Sequence, residues 1–179
     1  MLQVEAERSI EVGRLLAGAA QAISRVRYCW LVTTADTWAV NARPMGSLPQ
    51  ELDADGWTLW FITDGRSRKA ADIRRAGEAT VIFQDADTAF LTLVGPAMLC
   101  DQASELERRW KRAYDKYFPS EEERANAALI GVDVRHMELW IRGVTPEPFG
   151  LRPTRVEREE RGPWHLSSGV RSGARPTHP

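Results

Sequence analysis

The chain has 179 residues, enough for one domain with a substantial core, and its 43% hydrophobic content is ordinary for a globular protein. A net charge of −1 excludes a whole-molecule field for nucleic acid, so any basic site must be local. Two cysteines and three histidines without C-x-x-C or H-x-x-x-H spacing give a metal site no support, and an N-terminus carrying Glu5, Glu7, Arg8 and Glu11, with no membrane-length apolar run elsewhere, predicts a cytoplasmic chain with no membrane partner.

Val12, Leu15, Leu16, Ala19, Ile23 and Val26 recur at helical spacing and predict one amphipathic helix over roughly residues 4–26. Tyr28 to Thr33 reads as a strand, Thr34-Ala35-Asp36 as a turn, and Trp38 to Arg43 as a second strand. Pro44-Met45-Gly46 is expected to break that ladder as a bulge, because Pro lacks an N–H and Gly admits unusual dihedrals. A polar loop over 49–56 leads to a third strand, Trp57 to Thr63, and residues 70–75 read as a short helix. Ala79 to Gln84 and Thr88 to Met98 are the fourth and fifth strands. Cys29 and Cys100 lie in or beside such apolar runs and read as reduced core residues.

A long helix is expected over 101–117, and a short one after Ser120, whose Glu123 completes a capping box. Leu129 to Arg135 and Met137 to Val144 read as a closing hairpin, with His136 at its turn. Strands at hairpin spacing with one inserted helix predict an α+β antiparallel barrel, mainly β, with an N-terminal helix and peripheral helices. Residues 1–150 form its domain, and the Pro-rich 151–179 reads as a strap and mobile tail, with Trp164 as its one anchor or as a lone aromatic in a disordered end.

The most informative stretch is Thr63-Asp64-Gly65-Arg66-Ser67-Arg68-Lys69. Asp64-Gly65 supplies a turn between strand and helix, and Ser67 is a natural N-cap. Arg66, Arg68 and Lys69 crowd a helix start that is already partly positive and rich in unpaired N–H groups. Cations there are stabilised by an arriving anion, so the segment reads as a phosphate site; a solvated basic turn is the plain alternative. A barrel brings Asn41-Ala42-Arg43-Pro44-Met45-Gly46 to the same corner, adding Arg43 as a further cation, with apolar Met45 and Ile62 beside it. The set suits an organic phosphate bearing a flat ring. Arg43 as a surface strand arginine and Met45 as core filling are the competing readings.

The order N-A-R-P-M-G, L-W-F-I-T-D-G-R-S-R-K-A-A-D-I, L-T-L-V-G-P-A and E-L-W, over residues 28 to about 145, resembles the pyridoxamine 5′-phosphate oxidase-related family of FMN-binding split β-barrels, in its general stress protein branch. The resemblance implies that Arg43, Arg68 and Lys69, assisted by Ser67, hold the FMN phosphate. It implies that the backbone at Pro44, Met45, Gly46, Ile62 and Thr63 lines the ring and ribityl chain. It also implies a homodimer with flavin at the interface, reached by Trp140 from the last hairpin; a tryptophan in the barrel core is the alternative for that residue. True pyridoxamine phosphate oxidases carry an R-L-H-D-R-like stretch after this tryptophan, whereas Ile141-Arg142-Gly143-Val144-Thr145-Pro146 follows here. The family's fifth-strand glutamine falls near Phe90. Vitamin B6 oxidation is therefore not expected.

Two functions follow. One is a flavin-dependent oxidoreductase acting on an unidentified small molecule, with no catalytic acid or base assignable, since Asp36 and Asp64 read as turn residues. The other is a non-catalytic module that binds or senses flavin, or holds FAD, haem or a deazaflavin. Nucleic-acid binding through the basic helix is disfavoured by the near-neutral charge.

Overall fold

The computed structural model describes residues 2–35, 39–46, 56–160 and 162–167. Asp36, Trp38, most of the 49–56 loop and the tail from 168 onward lie outside the described residues. Helix α1 (Leu2–Arg25) is followed by strands β1 (Tyr28–Thr34), β2 (Val40–Gly46) and β3 (Thr58–Asp64). Then come α2 (Arg68–Ala76), β4 (Glu78–Asp85), β5 (Ala89–Cys100), α3 (Ala103–Arg109), α4 (Glu121–Ala125), β6 (Ala127–Asp133), β7 (His136–Ile141), β8 (Thr154–Glu157) and β9 (His165–Leu166). Among the described residues no helix is long and apolar enough to cross a membrane.

Period-two burial closes the sheet around its core. Leu31, Leu59, Phe61, Val81, Phe83, Leu91 and Leu139 are buried, while their strand neighbours face outward or are partly covered. The expected α1 forms and packs Leu15, Ala19 and Ile23 into this core against β4 and β7. All pairings are antiparallel, as the barrel reading requires.

The strand order is β2-β1-β4-β5-β7-β8-β9, with β6 bridging β5 to β3. Strands β2 and β3 are consecutive in the chain, yet β2 pairs with β1 and β3 with β6. They are two edges facing an open seam, and this seam is what splits the barrel.

Three expectations about local structure need correction. Pro44-Met45-Gly46 does not bulge: β2 continues through it in unbroken register, Trp30 opposite Pro44 and Tyr28 opposite Gly46. An edge strand needs hydrogen bonds on one side only, so it tolerates a proline. The helix expected over 101–117 stops at Arg109, where Trp110 is extended, and resumes as a single 3-10 turn at Arg112–Tyr114. Trp110 leaves the helix to pack on Tyr114 and Phe118 and to donate from Nε1 to Asp115 at 3.0 Å, so tertiary packing overrides propensity. Finally, β6 and β7 do not form a hairpin: β6 pairs with β5 at 97–100 and β7 with β5 at 89–94. His136 accordingly opens β7 and is not in a turn.

Past residue 150 the chain adds β8 to β7 and β9 to β8. Trp164 packs edge-on against Trp57, ring centres 6.2 Å apart, and under the buried Arg158 guanidinium.

Candidate functional site

The seam between β2 and β3 opens into a cleft of about 560 Å³, within the range of small-molecule sites. Pro44, Met45 and Gly46 form one wall, and Ile62, Thr63 and Asp64 the other. Lys69 reaches in from α2. Tyr28 and Arg27 lie beyond Gly46, Tyr114, Lys116, Tyr117 and Phe118 line the cleft from the segment between α3 and α4, and Glu123 of α4 adds a second carboxylate to that of Asp64. A second hollow of about 740 Å³ is lined by Glu159, Glu160, Gly162, Pro163 and His165, with no lysine or arginine among its described lining residues.

Helix α2 begins as expected. Ser67 is its N-cap, its Oγ accepting from the Ala70 amide at 3.4 Å and lying 3.3 Å from Thr63 Oγ1. Gly77 ends it in the left-handed region, φ 65°. The first turn of α2 carries no acidic residue, so Arg68 and Lys69 face the positive end of the helix dipole uncompensated by their own helix.

The cations divide into three kinds. Arg66 folds back on the Asp64 carboxylate at 3.0 Å, which holds that carboxyl below its ordinary range, and its other terminal nitrogen faces Glu122 at 3.8 Å. Arg68 is exposed, and among the described residues its side chain makes no ion pair or hydrogen bond. Lys69 is half-buried, and burial, then the nearby Arg43 guanidinium, push its ammonium below the usual lysine range, with Asp64 partly offsetting them.

Arg43 is part of a buried network. It donates from one terminal nitrogen to Thr33 Oγ1 at 3.0 Å and from the other to Asp72 Oδ2 at 3.4 Å. Thr33 and Asn41 donate to the same Asp72 oxygen, at 2.8 and 3.1 Å. These bonds keep the Asp72 carboxyl below its ordinary range although burial, the largest influence, pushes the other way.

The structure thus brings Pro44, Met45, Gly46, Ile62, Thr63 and Lys69 to one cleft, with Arg43 beside Lys69 and Ser67 against Thr63. It does not bring Trp140 there: β1, β4 and β5 lie between β2 and β7, and Trp140 stands on the outer face opposite Phe90. After Trp140, Thr145 closes a tight turn on Ile141, and Arg142 lies over the Phe149 ring at 4.4 Å, away from the cleft.

Sequence reasoning missed Asp72, Thr33 and the aromatic cover. Asp72 was detectable: it sits three residues after Lys69, hence on the same helical face, and next to the core residue Ile73. Tyr114 carried no local signal, because it was assigned to a regular helix. Burial raises the pKa of its phenol, which remains a neutral donor beside the cleft.

A sequence profile described as "Pyridoxamine 5′-phosphate oxidase like" matches residues 17–145. No curated protein matches the chain. Among solved structures, a pyridoxamine 5′-phosphate oxidase-related, FMN binding protein from Nostoc punctiforme is 19% identical, TM-score 0.65, covering 87% of this chain and 94% of its own. A protein from Clostridium acetobutylicum related to general stress protein 26 is 15% identical, TM-score 0.67, covering 83% and 97%. PhzG from Burkholderia lata, solved with tetrahydrophenazine-1-carboxylic acid, is 19% identical, TM-score 0.63, covering 87% and 88%. At these identities the likeness establishes the split-barrel fold. The profile match runs through both cleft strands, helix α2 and β7, well over half of the sequence, and on that ground the chain belongs to the pyridoxamine 5′-phosphate oxidase like family.

Proposed function

We propose that this chain binds FMN in the seam between β2 and β3 and serves as a flavin-dependent oxidoreductase for a small molecule. The observation that carries the reading is Lys69. A half-buried ammonium, its charged form disfavoured by burial and by a neighbouring guanidinium and only partly offset by Asp64, lines a cleft of mixed polarity and makes no ion pair among the described residues. A phosphate supplies the missing charge. Lys69, Arg43 and Arg68 would hold it, with Ser67 and the α2 amides assisting. Pro44, Met45, Gly46, Ile62 and Thr63 would line the ring. FMN, once bound, supplies reversible one- and two-electron chemistry; the chain supplies the anchor, the ring's orientation and a cover against water. FAD or a deazaflavin would use the same phosphate anchor.

The functional unit we propose is a homodimer. Trp30 (51% exposed) and Val40 (68%) share an outward sheet face with Pro44, Ile82, Phe90 and Trp140. An apolar face of this kind marks an interface. Trp140, remote from its own cleft, would then serve the partner's.

The test compares FMN with riboflavin, which lacks the phosphate. In fluorescence titrations, Arg68→Ala with Lys69→Ala should weaken FMN by at least about tenfold, the worth of one charge-assisted contact, and leave riboflavin nearly unchanged. Equal losses for the two ligands would refute the phosphate anchor. Stopped-flow mixing with NADH or NADPH then separates roles: a bound flavin that neither reduces would mark a storage or sensing protein.

A further inference from the structure

We propose that Asp72 is the positioning residue of the anion site, holding the Arg43 guanidinium beside Lys69 so that both cations meet one anion without first being gathered. This inference rests on the phosphate reading above and goes a step deeper into the same site.

The geometry is that of a three-element clasp. Thr33 comes from β1, Asn41 and Arg43 from β2, and Asp72 from α2, the helix that also carries Lys69. Asp72 Oδ2 takes hydrogen bonds from Thr33 at 2.8 Å, Asn41 at 3.1 Å and Arg43 at 3.4 Å. Thr33 Oγ1 accepts from Arg43 at 3.0 Å and relays that bond to the carboxylate. Asp72 is 7% exposed and Thr33 2%. Its other oxygen faces Arg75 at 3.8 Å.

A buried carboxylate is costly unless its bonds are satisfied, and here one oxygen collects three donors. Two like charges, Arg43 and Lys69, are meanwhile held close enough for one to depress the other's protonation. Left to itself, an arginine side chain with its own rotamer freedom would swing away from that repulsion into water. The clasp to Thr33 and Asp72 prevents this. Asp72 lies three residues beyond Lys69, so one turn of helix fixes the spacing of both cations.

The sign of the effect separates positioning from simple electrostatics. Asp72 is itself negative, so by charge alone Asp72→Asn would draw a phosphate in more tightly. Positioning demands the opposite. In FMN titrations of the full chain, Asp72→Asn should weaken binding by about tenfold while shifting riboflavin less than about twofold. In an Arg43→Ala background the same substitution should add nothing, because Asp72 acts through Arg43. Thr33→Val, which keeps both charges and the buried volume but removes the relay, should weaken FMN in the same direction and carries the test if Asp72→Asn fails to fold.

Tighter FMN binding by Asp72→Asn overturns the proposal. So do equal losses of FMN and riboflavin, or additive losses in the double variant. Lys69→Ala distinguishes the two levels. If it leaves FMN affinity unchanged, the phosphate reading itself fails; if it weakens FMN while Asp72 and Arg43 do not couple, only the positioning role fails.

Discussion

A Cβ built on Gly95 would lie 1.9 Å from the carbonyl oxygen of Asp133. Here β6 leaves its course along β5 and the chain crosses to begin β7, so backbone passes directly over backbone. The close atom belongs to the main chain and cannot rotate aside. Gly95→Ala should therefore destabilise the fold by about 3 kcal/mol or more, seen as a lower urea midpoint with an unchanged slope.

Lys69 lowers the stability of the fold at neutral pH. Its ammonium titrates below the ordinary 10.5, so the folded chain pays for holding the proton at neutral pH, and the penalty lifts as pH rises toward 10.5. Lys69→Met should raise the stability of the ligand-free protein at pH 7 by no more than about 0.5 kcal/mol, the ammonium being partly solvated. Added FMN should raise the melting temperature of the parent chain more than that of the variant. A variant no more stable than the parent when empty would show that the lysine is not strained there.

The two thiols should behave differently. Cys29 is buried, donates to the Met45 carbonyl at 3.5 Å, and is pushed up to about 12 by burial. Only a thiolate reacts appreciably, so iodoacetamide at pH 8 should modify the half-exposed Cys100 first and Cys29 only on unfolding. The same shift destabilises the fold in alkali. Unfolded Cys29 ionises near 9.0 and folded Cys29 does not, so stability falls between 9.0 and about 12. Cys29→Val should flatten that part of the profile.

If the outward sheet face joins two copies, a charge at its centre should part them. Trp30 is 51% exposed and sits between Pro44 on one neighbour and Ile82 on the other. Trp30→Glu should shift the light-scattering mass to the 20.2 kDa of one chain and weaken FMN together with it. A variant that keeps the parent's mass would move the interface elsewhere.

Much of this architecture was legible in the sequence because its signals were local. Alternation announced the strands, Ser67 and Ser120 announced their helices, and the Thr63–Lys69 stretch announced the cleft's charged end. The errors arose where distant contacts decide. Pro44 reads as a ladder breaker until β2 is known to be an edge. Met137 to Val144 reads as the partner of the preceding strand until β5 is found bonded to both. Trp110 reads as helical until its ring finds Phe118. Asp72 passes as one more residue of the 70–75 helix until Thr33 and Arg43 arrive from other strands.

Strand β5 spans twelve residues and serves two masters. Its first part carries β4, and through it β1 and β2; its last residues carry β6, and through it β3. The two jaws of the cleft thus hang from opposite ends of one spindle, with Gly95 and Pro96 at its waist. A substitution that changes the strand's twist at that waist should therefore shift Met45 relative to Ile62, although neither residue touches it.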